Sequence, residues 1–373
     1  MTYTYQGNDL KTRYMAKSMF VSNGNLYVWG RNVNGDLGVN TTTNYLSSPI
    51  QVGSEKNWNQ ISSHLTSSVA TKTDGTLWAW GYNGYGQLGL SDTTNRLSPV
   101  QVGTESNWSS VDCYTHTLAI KTDGTLWSWG KNTAGEMGTS DLTRRSSPIQ
   151  IGTLSNWSKV SCGYQYSLAI KTDGTLWGCG SNDVYQLGIV DNSNKLSTIQ
   201  VGTSSNWSKV ACGHKHTLAI KTDGTLWACG LNSWGQLGLQ DVSGRSSLTQ
   251  VGSLSNWAQV SCGYRYTMAI KTDGTLWAWG NNSYGQLGLS NQTHISSPTQ
   301  VGSLNNWSKV SCGTSHAAAI KSNGTLWVCG YNSGGSLGLN TSTDYYSFVQ
   351  VGTQTTWSFI NAGNGSVRAL QIV

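Results

Sequence analysis

Three histidines, His116, His216 and His316, stand one hundred residues apart, a spacing that could bring three imidazoles toward one axis and hold a metal ion. The positions midway between them are Tyr166 and Tyr266. Tyrosine and histidine share a flat ring with a polar tip, so the series reads as a structural hydrogen-bonding position, and no metal is assigned. Glu occurs only at 55, 105 and 136, and five of the 17 acidic residues are taken up by Asp-Gly pairs, so no recurring carboxylate pair is available for acid and base catalysis. The eight cysteines contain no CxxC pair and exchange with Trp, Ser or Thr between repeats, as small buried free thiols do. The segment "GYGQLG" (84–89) fits GxGxxG, but it recurs as a turn and no helix follows to hold a phosphate. The chain is expected to be no enzyme and to need no cofactor.

What remains is binding, and the candidates lie where near-identical repeats disagree. Three residues before a recurring proline position, four copies carry Arg96, Arg145, Lys195 and Arg245, while the others carry Ile295, Tyr345 and Leu46. This pattern predicts a basic arc and an apolar arc on one side of the molecule. A second variable position reads Asn34, Tyr85, Ala134, Val184, Trp234, Tyr284 and Gly334. Tyr85, Trp234 and Tyr284 are expected to offer aromatic contacts to a protein or a glycan. Lysines at 72, 121, 171, 221, 271 and 321 recur at one position and read as a solvated rim, with no specific nucleic-acid binding expected from a formal charge of +6.

The elements that position these residues follow from one phrase. "AIKTDGTLWAWG" (269–280) is one of seven related copies, whose Asp-Gly or Asn-Gly pair falls at 23, 74, 123, 173, 223, 273 and 323, in steps of 51, 49, 50, 50, 50 and 50 residues. A period this regular marks a propeller or solenoid built from one repeated unit. The Asp-Gly pair between β-prone runs predicts a type I′ hairpin, with Lys271 facing Leu276, Ile270 facing Trp277 and Met268 facing Trp279. "NWSKVSCG" upstream supplies a further strand, and "SSPTQVG" downstream a fourth with Pro298 at its start. The expected fold is all-β: one seven-bladed propeller of four-stranded blades over 14–373, preceded by an extension at 1–13. The last segment, "WSFINAGNGSVRALQIV", should complete the first blade, although "AKSMFVS" and "SVRALQI" compete for one strand position.

The stretch "CGHKHTLAIKTDGTLWACGLNSWGQLG" (212–238) and five other good copies resemble the regulator of chromosome condensation family of β-propellers, with its "CG..H" strand, "DG.lw.wG" hairpin and "GQLG" turn. The resemblance implies the fold and no particular chemistry. It brings one alternative function, guanine-nucleotide exchange on a small GTPase, but the regular repeats leave no room for an inserted wedge. The family's plant photoreceptors use a Trp in "GWRHT", where this chain has Tyr164, His214 and Tyr264. The reading adopted is a non-enzymatic binding or structural module, with Asn/Thr/Ser-rich loops and an N-terminal arm suited to a larger viral or cell-surface assembly. No apolar run reaches membrane-spanning length and "MTYTYQGNDLKTR" does not resemble a signal peptide, so a soluble protein is expected, cytoplasmic or part of such an assembly.

Overall fold

The computed structural model describes residues 24–372, and these form twenty-eight β-strands and no helix. The extension at 1–13 and the "AKSMFVS" segment lie outside the described residues. One unit shows the pattern: β7 (Trp108–Cys113), β8 (His116–Lys121), β9 (Leu126–Gly130) and β10 (Arg145–Gln150) form an antiparallel sheet in the order β10-β9-β8-β7. The same four-stranded sheet recurs over 157–200, 207–250, 257–300 and 307–350. Near the start, β1 (Gly24–Arg31) and β2 (Tyr45–Gln51) pair with each other, and β1 also pairs with β28 (Ser366–Ile372), which pairs with β27 (Trp357–Ala362). The two ends of the chain thus build one unit, and β28 holds the contested strand position. A single Gly24–Trp58 pair joins it to the sheet of β3 (Trp58–His64), β4 (Ser67–Lys72), β5 (Leu77–Gly81) and β6 (Arg96–Gln101).

The hairpin register differs from the expected one by a residue. Ile270 pairs with Leu276, Ala269 with Trp277, Met268 with Ala278 and Thr267 with Trp279. The loop is longer than a two-residue turn: Gly274 N–H donates to the Lys271 carbonyl, Lys271 N–H to that of Thr275, and of the Asp-Gly pair only Gly274 has positive φ, 82°. This is a type I turn closed by a glycine bulge. Asp273 caps it by accepting from the Thr275 N–H at 3.0 Å and hydroxyl at 2.7 Å, and that hydroxyl accepts from the Trp277 indole at 2.9 Å. The shift places Lys271 on the tryptophan face, with consequences for all six lysines. They form no solvated rim. Lys72, Lys121, Lys171, Lys271 and Lys321 are buried and Lys221 is partly so, each with its ammonium over a Trp ring. Pro298 also departs from expectation, lying inside the Ile295–Gln300 strand where the pairing with its neighbour is broken by a register shift. An outer strand tolerates proline at such an irregularity.

The core lies between sheets. Leu118, Ile120 and Leu126 of one unit, for example, pack on Trp157, Cys162 and Ala169 of the next, and burying side chains of this size contributes about 1.5–3 kcal/mol each. The "QLG" glycine is required by this packing: Gly89 has φ of 75°, and a β-carbon there would lie 2.8 Å from the Trp129 indole. Hydrogen bonds also run from unit to unit. Cys113 N–H donates to Ser62 Oγ, Cys162 N–H to Asp112 Oδ2, Cys212 N–H to Ser161, Cys312 N–H to Ser261, Ala362 N–H to Ser311 and Ser63 N–H to Asn361 Oδ1. All eight cysteines are free and buried.

Candidate functional site

Antiparallel alternation puts two kinds of connection at the same end of every sheet: the short turn between its first and second strands, and the long loop between its third and fourth. Each long loop is organised by a buried asparagine. Asn132 Oδ1 accepts from Met137 N–H at 3.1 Å, while its Nδ2 donates to the Asp141 and Thr143 carbonyls. Asn32, Asn83, Asn182, Asn232, Asn282 and Asn332 accept the equivalent bond. Its recurrence two residues after each "WG" or "CG" was the signal available in the sequence.

The four expected cations are consumed within these loops. Arg96 meets Asp92 at 2.5 Å, Arg145 meets Asp141 at 2.8 Å, Lys195 meets Asp191 at 2.6 Å and Arg245 meets Asp241 at 2.5 Å. Each arginine also donates to a carbonyl of its own loop. A hydrogen bond from Lys195 draws Asp191 down to about 2, and the Arg245 guanidinium likewise lowers Asp241. Where the copies carry Ile295, Tyr345 and Leu46, the acid is replaced by Asn291, Thr341 and Thr41. Acid and base are gained and lost together, so these residues clamp loops and do not form an unpaired basic arc.

The expected aromatics sit at seams between units. Tyr85 is half-buried and lies under Lys131 and Arg144 of the following unit, with their cationic centres 5.5 and 5.4 Å from its ring. Trp234 is half-buried, with Arg265 at 5.8 Å and the His294 ring at 4.6 Å. Tyr284 is exposed and meets Tyr331 edge-on at 4.9 Å.

A second aromatic series, of which Tyr164, His214 and Tyr264 were noted above only for standing where the photoreceptors have Trp, occupies the short turns at the same end. His64, Tyr114, Tyr164, His214 and Tyr264 run ring to ring at 3.9, 5.8, 4.6 and 4.1 Å across five consecutive units. Their fifty-residue spacing was legible, but their neighbours were not. Burial lowers His64 to about 3 and His214 to about 4, leaving both neutral near pH 7. The arc stops at Thr314 and Asn364, where a cleft of about 250 Å³ opens between Arg31, Tyr45 and Tyr331. Two cations join the arc to the outer aromatics: Lys131 lies 5.7 Å from Tyr164 as well as over Tyr85, and Arg265 lies 5.0 Å from Tyr264 as well as over Trp234. Lys131, Arg144 and Arg265 have no carboxylate partner among the described residues.

His116, His216 and His316 do not converge. His116 Nε2 meets Ser167 Oγ at 2.6 Å and His216 Nε2 meets Thr267 Oγ1 at 3.2 Å, each bonding to the next unit. Tyr166 and Tyr266 also reach forward, to the His216 and His316 carbonyls. Among the described residues, no group of three or more His, Cys, Asp or Glu side chains could hold a metal ion, and no helix is long and apolar enough to cross a membrane.

Comparison with known proteins accords with this architecture. The structure superposes on human WBSCR16 with a TM-score of 0.85 and 21% identity, covering 93% of this chain and 98% of the other. Yeast RCC1 (Prp20), solved bound to Kap60, gives a TM-score of 0.87 at 18% identity, covering 100% and 94%. These likenesses establish the fold. Among curated proteins, the ultraviolet-B receptor UVR8 of Arabidopsis thaliana is 37% identical over 75 residues, a stretch amounting to 20% of this chain and 17% of the receptor. The RCC1 repeat model matches residues 23–71 and 74–120, and the RCC1-like domain model matches residues 110–369. With most of its length matched, this chain belongs to the RCC1-like domain family of β-propellers.

Proposed function

We propose that the chain is a non-enzymatic binding module: seven four-stranded blades closed into one ring, gripping an acidic protein surface at its long-loop end. Closure is supported by the unit made from both termini and by the Asn361 to Ser63 bond, which continues the blade-to-blade series from the last unit to the first after the β1 unit. The observation that carries the binding reading is the set of three cations, Lys131, Arg144 and Arg265, held against aromatic rings without a carboxylate to neutralise them. Aromatic and arginine anchors of this kind dominate protein interfaces, at about 2 kcal/mol or more where they become fully desolvated. The solved relative from Saccharomyces cerevisiae, Prp20p, is described with binding properties to Gsp1p and histones, which accords with a protein partner here. The glycan alternative and any assembly through the N-terminal arm rest on sequence alone.

The test compares two variants against a fluorescein-labelled Asp/Glu-rich peptide. Changing Lys131, Arg144 and Arg265 to Ser should weaken binding at least tenfold and flatten its salt dependence. Changing Arg96, Arg145, Lys195 and Arg245 to Ser should weaken it less than threefold. Equal loss in both, or no binding by the parent protein, refutes the reading. Accelerated nucleotide release from a small GTPase would replace it with exchange activity.

A further inference from the structure

The repeats supply internal controls for a site at the opposite, hairpin-turn end. In six units the lysine two residues before the turn Asp or Asn lies over a third-strand Trp, with Nζ to centroid distances of 3.6, 3.7, 3.6, 4.2, 3.5 and 3.5 Å from Lys72 to Lys321. The first-strand Trp closes a second side, at 4.9 Å for Lys321. What varies is the residue that the preceding loop lays over the ammonium. Glu105 ion-pairs with Lys121 at 2.8 Å, Glu55 does the same for Lys72, and Ser204 stands 3.4 Å from Lys221. In the sequence the corresponding residues for Lys171, Lys271 and Lys321 are Leu154, Leu254 and Leu304.

At Lys321, where the acid is missing, a cavity of about 410 Å³ lies in the seam between neighbouring blades. Trp307, Trp327, Phe348, Leu289 and Leu304 make it apolar, and Lys321 lines it with only 7% of its surface exposed. Among the described residues the ammonium has neither a hydrogen-bond acceptor nor a carboxylate, and the Trp307 indole N–H, like that of the other six first-strand tryptophans, is buried without a partner. Burial alone lowers the Lys321 pKa from its ordinary value, as expected for a cation lacking a counter-charge. The next seam has a similar cavity of about 430 Å³, but there Gln371 pairs with Trp357 in the lysine's position, so it holds no ammonium.

We propose that the Lys321 cavity binds a small carboxylic acid with a flat apolar body, its carboxylate on Lys321 and its body between Trp327, Phe348 and Leu304. The volume is that of a small-molecule site. The anion is identified by the chain itself, because the acid that occupies the equivalent lysine in two other blades is a glutamate carboxylate. The proposal is independent of the protein-binding reading, which concerns the other end of the ring.

The test titrates 3-phenylpropionate into the purified protein, followed by calorimetry and tryptophan fluorescence, with neutral 3-phenylpropanamide as the isosteric control. The acid should bind saturably and the amide at least tenfold more weakly. Lys321→Met should lose the preference for the acid. Leu304→Glu, which reproduces the Glu105 lid and retains the lysine, should block the site by at least tenfold while leaving thermal stability unchanged. Lys121→Met, at a blade already capped, should bind like the parent. The proposal is overturned if acid and amide bind equally, if Leu304→Glu leaves binding intact, or if no saturable binding of the acid occurs at millimolar concentration.

Discussion

Arg368 offers the sharpest test of how the two ends of the chain are held together. It is fully buried in β28, at the position equivalent to Leu118, Leu168 and Leu218. Its Nε donates to Ser68 Oγ at 3.1 Å, Nη2 to the Asp36 carbonyl at 2.6 Å and Nη1 to Ser366, tying the C-terminal strand to the first loop and the next blade. Burial raises the Asp36 carboxyl from 3.8 to about 6, although Arg368 and Arg31 pull it down. Because the folded value lies above the unfolded one, the folded chain holds an extra proton between about pH 4 and 6. Stability is therefore greatest below that window and is lost as pH rises through it, by about 3 kcal/mol. Arg368→Leu removes one of the two cations and should cost about 3–5 kcal/mol at pH 7.5, where Asp36 must ionise or take up a proton in a buried site. The cost should shrink toward pH 4. Combining it with Asp36→Gln, which installs the residue found at Gln87, should restore stability to within about 1 kcal/mol and remove the pH slope, since neutral replacement of a buried pair is tolerated. Urea midpoints read by tryptophan fluorescence from pH 4 to 8 decide it. A single variant within about 1 kcal/mol of the parent at pH 7.5, or a double variant no better than the single, would refute the reasoning.

Asp112→Ser, matching Ser62, Ser161, Ser261 and Ser311, should raise the melting temperature by an amount that grows as pH rises above the ordinary carboxylate range, because burial raises the Asp112 carboxyl and its ionisation opposes folding as pH increases. The thiols should resist iodoacetamide in the native protein at pH 8 and react once urea unfolds it, since burial pushes Cys113, Cys179, Cys212 and Cys312 up to about 12; rapid native labelling counted by mass spectrometry would contradict this. Arg245→Ser should change the urea midpoint by the equivalent of about 1 kcal/mol or less, because its ion pair with Asp241 is solvent-accessible. Gly89→Ala should destabilise by more than about 1 kcal/mol, measured by thermal melting, because it combines positive φ with a clash against Trp129.

The fold was legible because the fifty-residue period outweighs any local ambiguity, and because the final Trp strand lacks a following hairpin unless the first repeat supplies it. The register was missed for a local reason: Asp-Gly occurs both in two-residue turns and as the end of a type I turn with a glycine bulge, and only the backbone bonds of Lys271 distinguish them. That single-residue error put Lys271 on the face opposite the tryptophans, so nothing corrected the reading of the recurring lysines as a solvated rim. The binding site was half legible. Tyr85 and Trp234 stood out by disagreement between repeats, but Lys131 and Arg265 come from the following unit, and nothing local in the sequence pairs Lys131 with Tyr85. The loop clamps were readable in principle, since an aspartate stands four residues before each of Arg96, Arg145, Lys195 and Arg245.

The two ends of the propeller acquire spare charge by the same route. Long basic side chains cover aromatic rings with their apolar stems whether or not their charge is matched, so the packing role survives when the acid is lost. At the hairpin end Lys121 keeps Glu105, while Lys321 faces Leu304 and remains over its tryptophans at nearly the same distance. At the long-loop end Lys215 keeps Asp183, while Arg265, one repeat later, has Ser233 where that acid stood and rests on Trp234 and Tyr264 alone. In each case one substitution in a neighbouring loop leaves the blade's packing in place and frees a cation beside an aromatic wall. A repeat protein can therefore gain anion-binding sites by losing acids one at a time without rebuilding its core, and the positions of those losses, read against the intact copies in the same chain, mark where ligands should be sought.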